Sequence, residues 1–210
     1  MLGTWLERWK EGRIGWHEAD GNVMLRRHWP RLVRDSRVLV PLCGKSRDLL
    51  WLVSRGLDVT GVEVSEIAVR AFFEESELPF REITGDGLPC FEATTAPVRI
   101  CCGDYLTFEA PPFHSIYDRG ALVAMPPSLR PDYVAHTKRL LEPDAYRLII
   151  TLTYDQSAID GPPYSVPDDE LLSYWDDLQC AESRNDLDGS APKFREAGLE
   201  EVRESVWIPS

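Results

Sequence analysis

The stretch Arg37 to Ser65, RVLVPLCGKSRDLLWLVSRGLDVTGVEVS, restricts the fold more than any other part of the chain. Val38, Leu39, Val40 and Leu42 suit a strand buried on both faces of a parallel sheet. Leu49, Leu50, Leu52 and Val53 then recur as a helical stripe, and Gly56 stands where that helix should stop. Val59, Gly61, Val62 and Val64 supply a second strand. Strand, helix and strand within about thirty residues is the βαβ unit that serves nucleotide-like ligands in open α/β sheets.

Two residues in this unit carry chemistry. Gly44 sits in the turn Pro41-Leu42-Cys43-Gly44-Lys45-Ser46, where the missing side chain lets a ligand approach the backbone. Glu63 ends the second strand, about twenty residues further on, where a carboxylate can accept both hydroxyl hydrogens of a ribose. The alternative reading of Glu63 is a solvated strand-end acid. Gly44-Lys45-Ser46 resembles the end of a phosphate-binding loop, but that motif needs a glycine where Leu39 stands. The dinucleotide fingerprint needs three spaced glycines, and only Gly44 is present. A ligand with adenosine and ribose but no phosphate fits better, and S-adenosylmethionine is the obvious one.

The chain has 210 residues, enough for one α/β domain with a substantial core. A formal net charge of −12 argues against a long nucleic-acid footprint, which needs a basic face. No apolar run is long enough for a membrane helix, and the charged N-terminal region has no signal-peptide core. The cysteines, Cys43, Cys90, Cys101, Cys102 and Cys180, are odd in number and form no Cys-x-x-Cys, which predicts free thiols in a reducing cytosol.

Taken in order, Leu2, Trp5, Leu6 and Trp9 recur at helical spacing, as core packing or as a lid over a ligand. Residues 1–34 are expected to form that helical lid. A second helix is predicted over 23–34 with Leu25, Trp29, Leu32 and Val33 inward and a kink or restart at Pro30. His17 could contact an acceptor or be structural, since no metal partner stands at a recognisable spacing. Ser65 should cap a helix formed by Ile67, Ala68, Ala71, Phe72 and the charges around them, up to Glu77. Residues 80–97 carry a Gly85-Asp86-Gly87 turn signal and a short edge strand starting near Phe80. Val98–Cys102 is the next strand, and Asp104 after it is read as an adenine contact or a turn acid. Ser115–Leu122 marks the central strand and its exit, with Asp118 and Arg119 where ligands meet such sheets. Further expectations are a helix from Leu129 to Leu141, a strand over 145–153, a stiff loop over 161–167 bearing Tyr164, a helix opening at Asp168, and a closing strand over 202–208 paired with residues near 180–183. No second domain and no internal repeat is visible, so residues 1–210 read as one domain.

Five segments carry a family likeness: LERWKEGRIGWHE (6–18), VLVPLCGKSRDLLWL (38–52), GVEVSEIAV (61–69), YDRGALVAMPPSLRPDY (117–133) and YDQSAIDGPPYSVPDDEL (154–171). The sequence resembles the bacterial type of the thiopurine S-methyltransferase family. The resemblance implies a Rossmann-like class I S-adenosylmethionine-dependent methyltransferase with a seven-stranded, mostly parallel sheet, acting as a monomer on a small-molecule thiol. It places Trp5, Trp9, Leu42 and Glu63 at the cofactor and Arg119 beside the acceptor. Trp16 replaces what is often a smaller aromatic near the acceptor. Bacterial members are also similar to enzymes that methylate selenium and tellurium compounds, so the acceptor stays open. Arg119 would hold an anionic acceptor face, with Asp118 or a nearby acid orienting it and the loops 16–18 and 161–166 shaping the pocket, or be a plain ion pair with Asp118 or another acid. A nicotinamide oxidoreductase would need the missing glycines. A non-catalytic cofactor-binding domain would need no polar wall such as Asp118, Arg119, Tyr154, Asp155 and Tyr164 supply.

Overall fold

The computed structural model describes residues 2–15, 18–84 and 87–210. The chain opens with α1 (Leu2–Lys10) and α2 (Val23–His28), then enters a sheet at β1 (Arg37–Pro41). From there α3 (Asp48–Ser54) leads to β2 (Asp58–Glu63), and α4 (Glu66–Glu75) leads to a hairpin of β3 (Phe80–Ile83) and β4 (Cys90–Ala93). After β5 (Val98–Cys102) come β6 (Phe113–Arg119), α5 (Arg130–Arg139) and β7 (Leu141–Thr153). The last elements are α6 (Asp168–Tyr174), β8 (Leu178–Asn185), α7 (Pro192–Glu196) and β9 (Arg203–Pro209).

The strands form one sheet in the order β3-β4-β5-β2-β1-β6-β7-β9-β8. The five central strands, β5 to β7, run parallel, and every pairing outside them is antiparallel. The sheet therefore has nine strands, not the seven expected, and is parallel only in its middle. The additional pair is the hairpin β3–β4, whose short strands lie among the prolines and turn residues of 80–97. The expected edge strand at Phe80 is its outer member. From β1 the chain runs outward through β2 and β5 on one side and through β6 and β7 on the other. That reversal opens a crevice at the carboxyl ends of the central strands, where open α/β sheets bind ligands.

Both faces of the sheet are packed. Leu39, Val62, Ile116, Tyr133 and Ile149 lie in one buried cluster; Val38, Leu49, Leu52, Val59, Phe72 and Phe73 lie in the other. Gly61 is required by this packing. A Cβ there would stand 2.6 Å from Cys43 Sγ and 3.3 Å from both Leu49 and Ile100, so only glycine lets the β1–α3 turn settle onto β2. Ser65 caps α4 as expected, accepting a hydrogen bond from Ala68 N.

Other expectations need correction. The second helix stops at His28, because Trp29 precedes Pro30 and takes an extended conformation. Val33, expected inward, is 80% exposed. The helix expected after Ser65 is α4, which ends at Glu75 and buries Ala68, Val69, Phe72 and Phe73. The strand expected from 145 begins at Leu141 and passes through Pro143, and the short helix α7 had no periodic signal. Not all cysteines are free: Cys90 and Cys101 face each other across β4 and β5 and form a disulfide. Cys43, Cys102 and Cys180 remain thiols. Among the described residues no helix is long and apolar enough to cross a membrane.

Candidate active site

The crevice is a cavity of about 190 Å³ whose walls come from the ends of β1, β2, β5, β6 and β7, from β9, and from α1. Its floor begins where β1 ends. Leu42 leaves the strand with φ 47° and Gly44 follows with φ 54°, so the backbone coils back on itself before α3. A bulky residue in the left-handed region costs roughly 1–3 kcal/mol and is typically retained where a ligand needs the geometry. Leu42 lines the cavity as expected.

The turn is held by Glu63. Its Oε2 accepts from Gly44 N at 2.8 Å, and its Oε1 accepts from Ser65 N at 2.8 Å. A carboxylate offers about four lone-pair sites, so two remain for a ligand's hydroxyls. The group is 5% exposed and lines the cavity. Burial holds its carboxyl above the usual carboxylate range, against the pull of the Ser65, Gly44 and Val64 N–H groups. The approach expected at Gly44 is made by a protein group. A Cβ at Gly44 would stand 3.2 Å from the Trp9 indole, which packs directly on the turn.

Trp5 and the buried Trp9 line the cavity from α1 together with Arg8. After β5, Gly103 and Asp104 form the next part of the wall. Asp104 Oδ1 accepts from Leu106 N at 3.0 Å and caps a 3-10 turn, while Oδ2 makes no hydrogen bond among the described residues. Asp104 thus fills the turn role and faces the cavity as well.

Alternation along β6 separates its two polar residues. Arg119 lines the cavity and pairs with Glu18, Nη2 to Oε1 2.5 Å. Burial works against its charge, but the negative surroundings, the Tyr117 oxygen, Glu18, Asp48 and Glu204, hold its pKa above the ordinary value. Asp118 points to the other face of the sheet. Its Oδ2 accepts from Tyr133 Oη at 2.7 Å and its Oδ1 from Leu122 N at 3.1 Å. It does not line the cavity. Of the acids expected to orient Arg119, Asp118 is ruled out and a nearby acid, Glu18, makes the contact; Asp118 instead fixes the turn after β6. Burial raises the Asp118 pKa, with Tyr133 and the Leu122 and Ala121 amides opposing.

Tyr164 also departs from expectation. Its backbone N–H donates to Val123 O at 2.6 Å, but its ring turns back over Gly161, and Pro163 is the loop residue on the cavity wall. The peptide bonds before Pro162 and Pro163 are cis. Tyr154 Oη donates to Pro163 O at 2.6 Å and ties this loop to the end of β7. Trp16 and His17, expected at the acceptor, and the turn residues Gly85 and Asp86 lie outside the described residues.

Glu18 lines the wall, as the 16–18 segment was expected to, and two further acids there, Asp48 and Glu204, had no role expected from the sequence. Asp48 is 1% exposed and accepts from Asn22 N at 2.7 Å and from Tyr117 Oη at 2.9 Å. It ties the segment before α2 to the sheet, a contact with no signature in sequence. Glu204 had a signal: it stands two residues from each of the buried Val202 and Val206, an acid at alternate spacing between two core valines.

A doubly wound sheet with antiparallel flanks, a crevice at β1, and an acid closing β2 define the class I S-adenosylmethionine-dependent methyltransferase fold. Solved structures agree. A Burkholderia thailandensis 1,6-didemethyltoxoflavin-N1-methyltransferase superposes with a TM-score of 0.64 over 100% of this chain and 87% of that one, at 19% identity. TehB from Haemophilus influenzae superposes with a TM-score of 0.58 over 89% of this chain and 59% of that one, at 15% identity. Sequence comparison is more specific. The family model "Thiopurine S-methyltransferase (TPMT)" matches residues 1–209. Proteins named thiopurine S-methyltransferase from Pseudomonas syringae pv. tomato and Photobacterium profundum are each 40% identical, over 97% of this chain and 95% and 96% of theirs. The chain belongs to the thiopurine S-methyltransferase family.

Proposed function

We propose that this protein transfers the methyl group of S-adenosylmethionine to the sulfur of thiopurines or other aromatic and heterocyclic thiols. Family membership supports the class, and one observation carries the site: Glu63 and Arg119 share the walls of one cavity. The cofactor supplies a methyl already activated on a sulfonium sulfur. The residues present fit it, because Glu63 keeps two lone pairs for sugar hydroxyls inside a phosphate-free turn. The free oxygen of Asp104 suits an adenine amine, and Trp5, Trp9 and Leu42 cover the ligand and exclude water. Residues 1–34 act as the lid.

Arg119 holds the acceptor's anionic face, and the 161–166 loop closes the acceptor side through Pro163. Catalysis then rests mainly on alignment, which can contribute about 7–11 kcal/mol in well-oriented cases. The protein is expected to work as a cytoplasmic monomer on a small thiol, with no nucleic acid partner. The test is product detection after incubation with S-adenosylmethionine and a panel of 6-mercaptopurine, aryl thiols and selenite. S-methylated product is the expected result, and no product with any thiol would end the proposal. Arg119→Ala should lower acceptor kcat/KM by roughly 10- to 150-fold, the scale of a hydrogen bond to a charged group. A value within about twofold of wild type would remove Arg119 from acceptor binding.

A further inference from the structure

Glu204 is a buried carboxylate on the cavity wall that no step above uses. Register places it. Arg119 on β6 pairs with Ile150 on β7, Ile150 pairs with Val206 on β9, and Leu152 pairs with Glu204 two residues further along. Paired residues share a sheet face, and Arg119, Ile150, Leu152 and Glu204 all line the cavity. Glu204 is 5% exposed. Its Oε2 accepts two donors of Arg184, Nε at 3.1 Å and Nη2 at 2.7 Å. Its Oε1 makes no hydrogen bond among the described residues.

One oxygen is thus clamped by Arg184, and the other, on the cavity wall, makes no hydrogen bond among the described residues. An oxygen so placed is available to accept a proton or a donor from a ligand in the cavity. We infer that Glu204 Oε1 receives the proton of acceptors that reach the site un-ionised, opposite the Arg119 guanidinium. This rests on the thiol S-methyltransferase reading above. The step balances. As the acceptor sulfur forms its bond to the methyl carbon, the methyl–sulfonium bond breaks and its electron pair stays on the donor sulfur. The S–H proton of a thiol, or the ring N–H proton of a thione, passes to Glu204 Oε1.

The electrostatic surroundings suit that task. Burial raises the Glu204 pKa, Asp186 raises it further, and Arg184 and Arg119 pull it down. A carboxylate above its usual range is a better proton acceptor near neutral pH. Glu18, paired with Arg119, lines the same cavity.

Glu204→Gln keeps the shape and an acceptor for Arg184 but cannot take a proton. It should lower kcat/KM by about 100-fold for a thiol that is protonated at assay pH, such as benzyl thiol, the scale of lost acid–base assistance. It should leave a fully ionised thiol, such as a nitro-substituted thiobenzoate, within about twofold or faster. Calorimetry in the absence of turnover, with S-adenosylhomocysteine bound, should show weaker binding of the protonated thiol and unchanged binding of the ionised one. Equal loss on both acceptors, or on neither, would overturn the inference. If Glu204→Gln melts early, Glu204→Asp serves instead: its acid is set back by one methylene, and it should lose rate only on the protonated thiol. Equal loss there overturns the inference too. A wild-type protein that methylates no thiol would instead overturn the underlying function.

Discussion

Replacing Glu63 with glutamine tests the centre of the site before any ligand is added. In the native protein each carboxylate oxygen accepts one backbone N–H at 2.8 Å, from Gly44 and from Ser65. An amide presents one oxygen and one NH2, so one of these two donors loses its acceptor and faces another donor. An orphaned buried donor costs about 1–3 kcal/mol. For a domain of this size about 1 kcal/mol moves Tm by roughly 2–4 °C, so Glu63→Gln should melt roughly 2–12 °C lower. pH supplies a sharper check. Burial raises the native pKa of Glu63, so the folded state holds this proton more tightly than the unfolded chain does. The stability from this group is fully present below the unfolded carboxylate pKa and is lost as pH rises through the native value. Glutamine does not titrate. The gap in stability between wild type and variant should therefore narrow from acid to neutral pH, as read by denaturant unfolding at several pH values. Calorimetry with S-adenosylmethionine should show affinity weakened by about 1.5–3 kcal/mol. A variant that melts with wild type would refute the assignment of Glu63 as the clamp of the turn, and a gap that widens with pH would refute the raised pKa of its carboxyl.

Two further substitutions probe how the site is supported. Arg130 is fully buried and donates to Met125 O at 3.2 Å, Glu170 Oε2 at 2.6 Å and Ser165 O at 2.7 Å, joining the loops on either side of the acceptor wall. Arg130→Leu should cost about 3 kcal/mol, the low end for a broken buried pair because Glu170 is partly exposed. Thermal unfolding reads this as a Tm roughly 6–12 °C lower, and an unchanged Tm would show that the three contacts contribute nothing. Gly61→Ala should cost about 1–3 kcal/mol by overpacking against Cys43, Leu49 and Ile100. An unchanged melt would show that the β1–α3 turn yields without cost.

Local pattern along the chain determined the βαβ unit, the cap at Ser65, the strand ending at Cys102, the closing β8–β9 pair and the placement of Glu63, Asp104 and Arg119 around one crevice, to which the family resemblance added Leu42. These follow from short-range rules: apolar period, a turn that needs glycine, and the tendency of parallel strands to end at ligands. Tertiary structure alone decided what long-range pairing controls. It joined Glu18 to Arg119 across 101 positions and turned Asp118 to the opposite face. It brought Asp48 beneath Tyr117, set Cys90 opposite Cys101, and carried Glu204 from the last strand to the wall of a cavity begun by the first. The physical reason is that a carboxylate's partner is chosen by distance in space, and strand order, which places β9 beside β7, is settled only when the whole sheet closes.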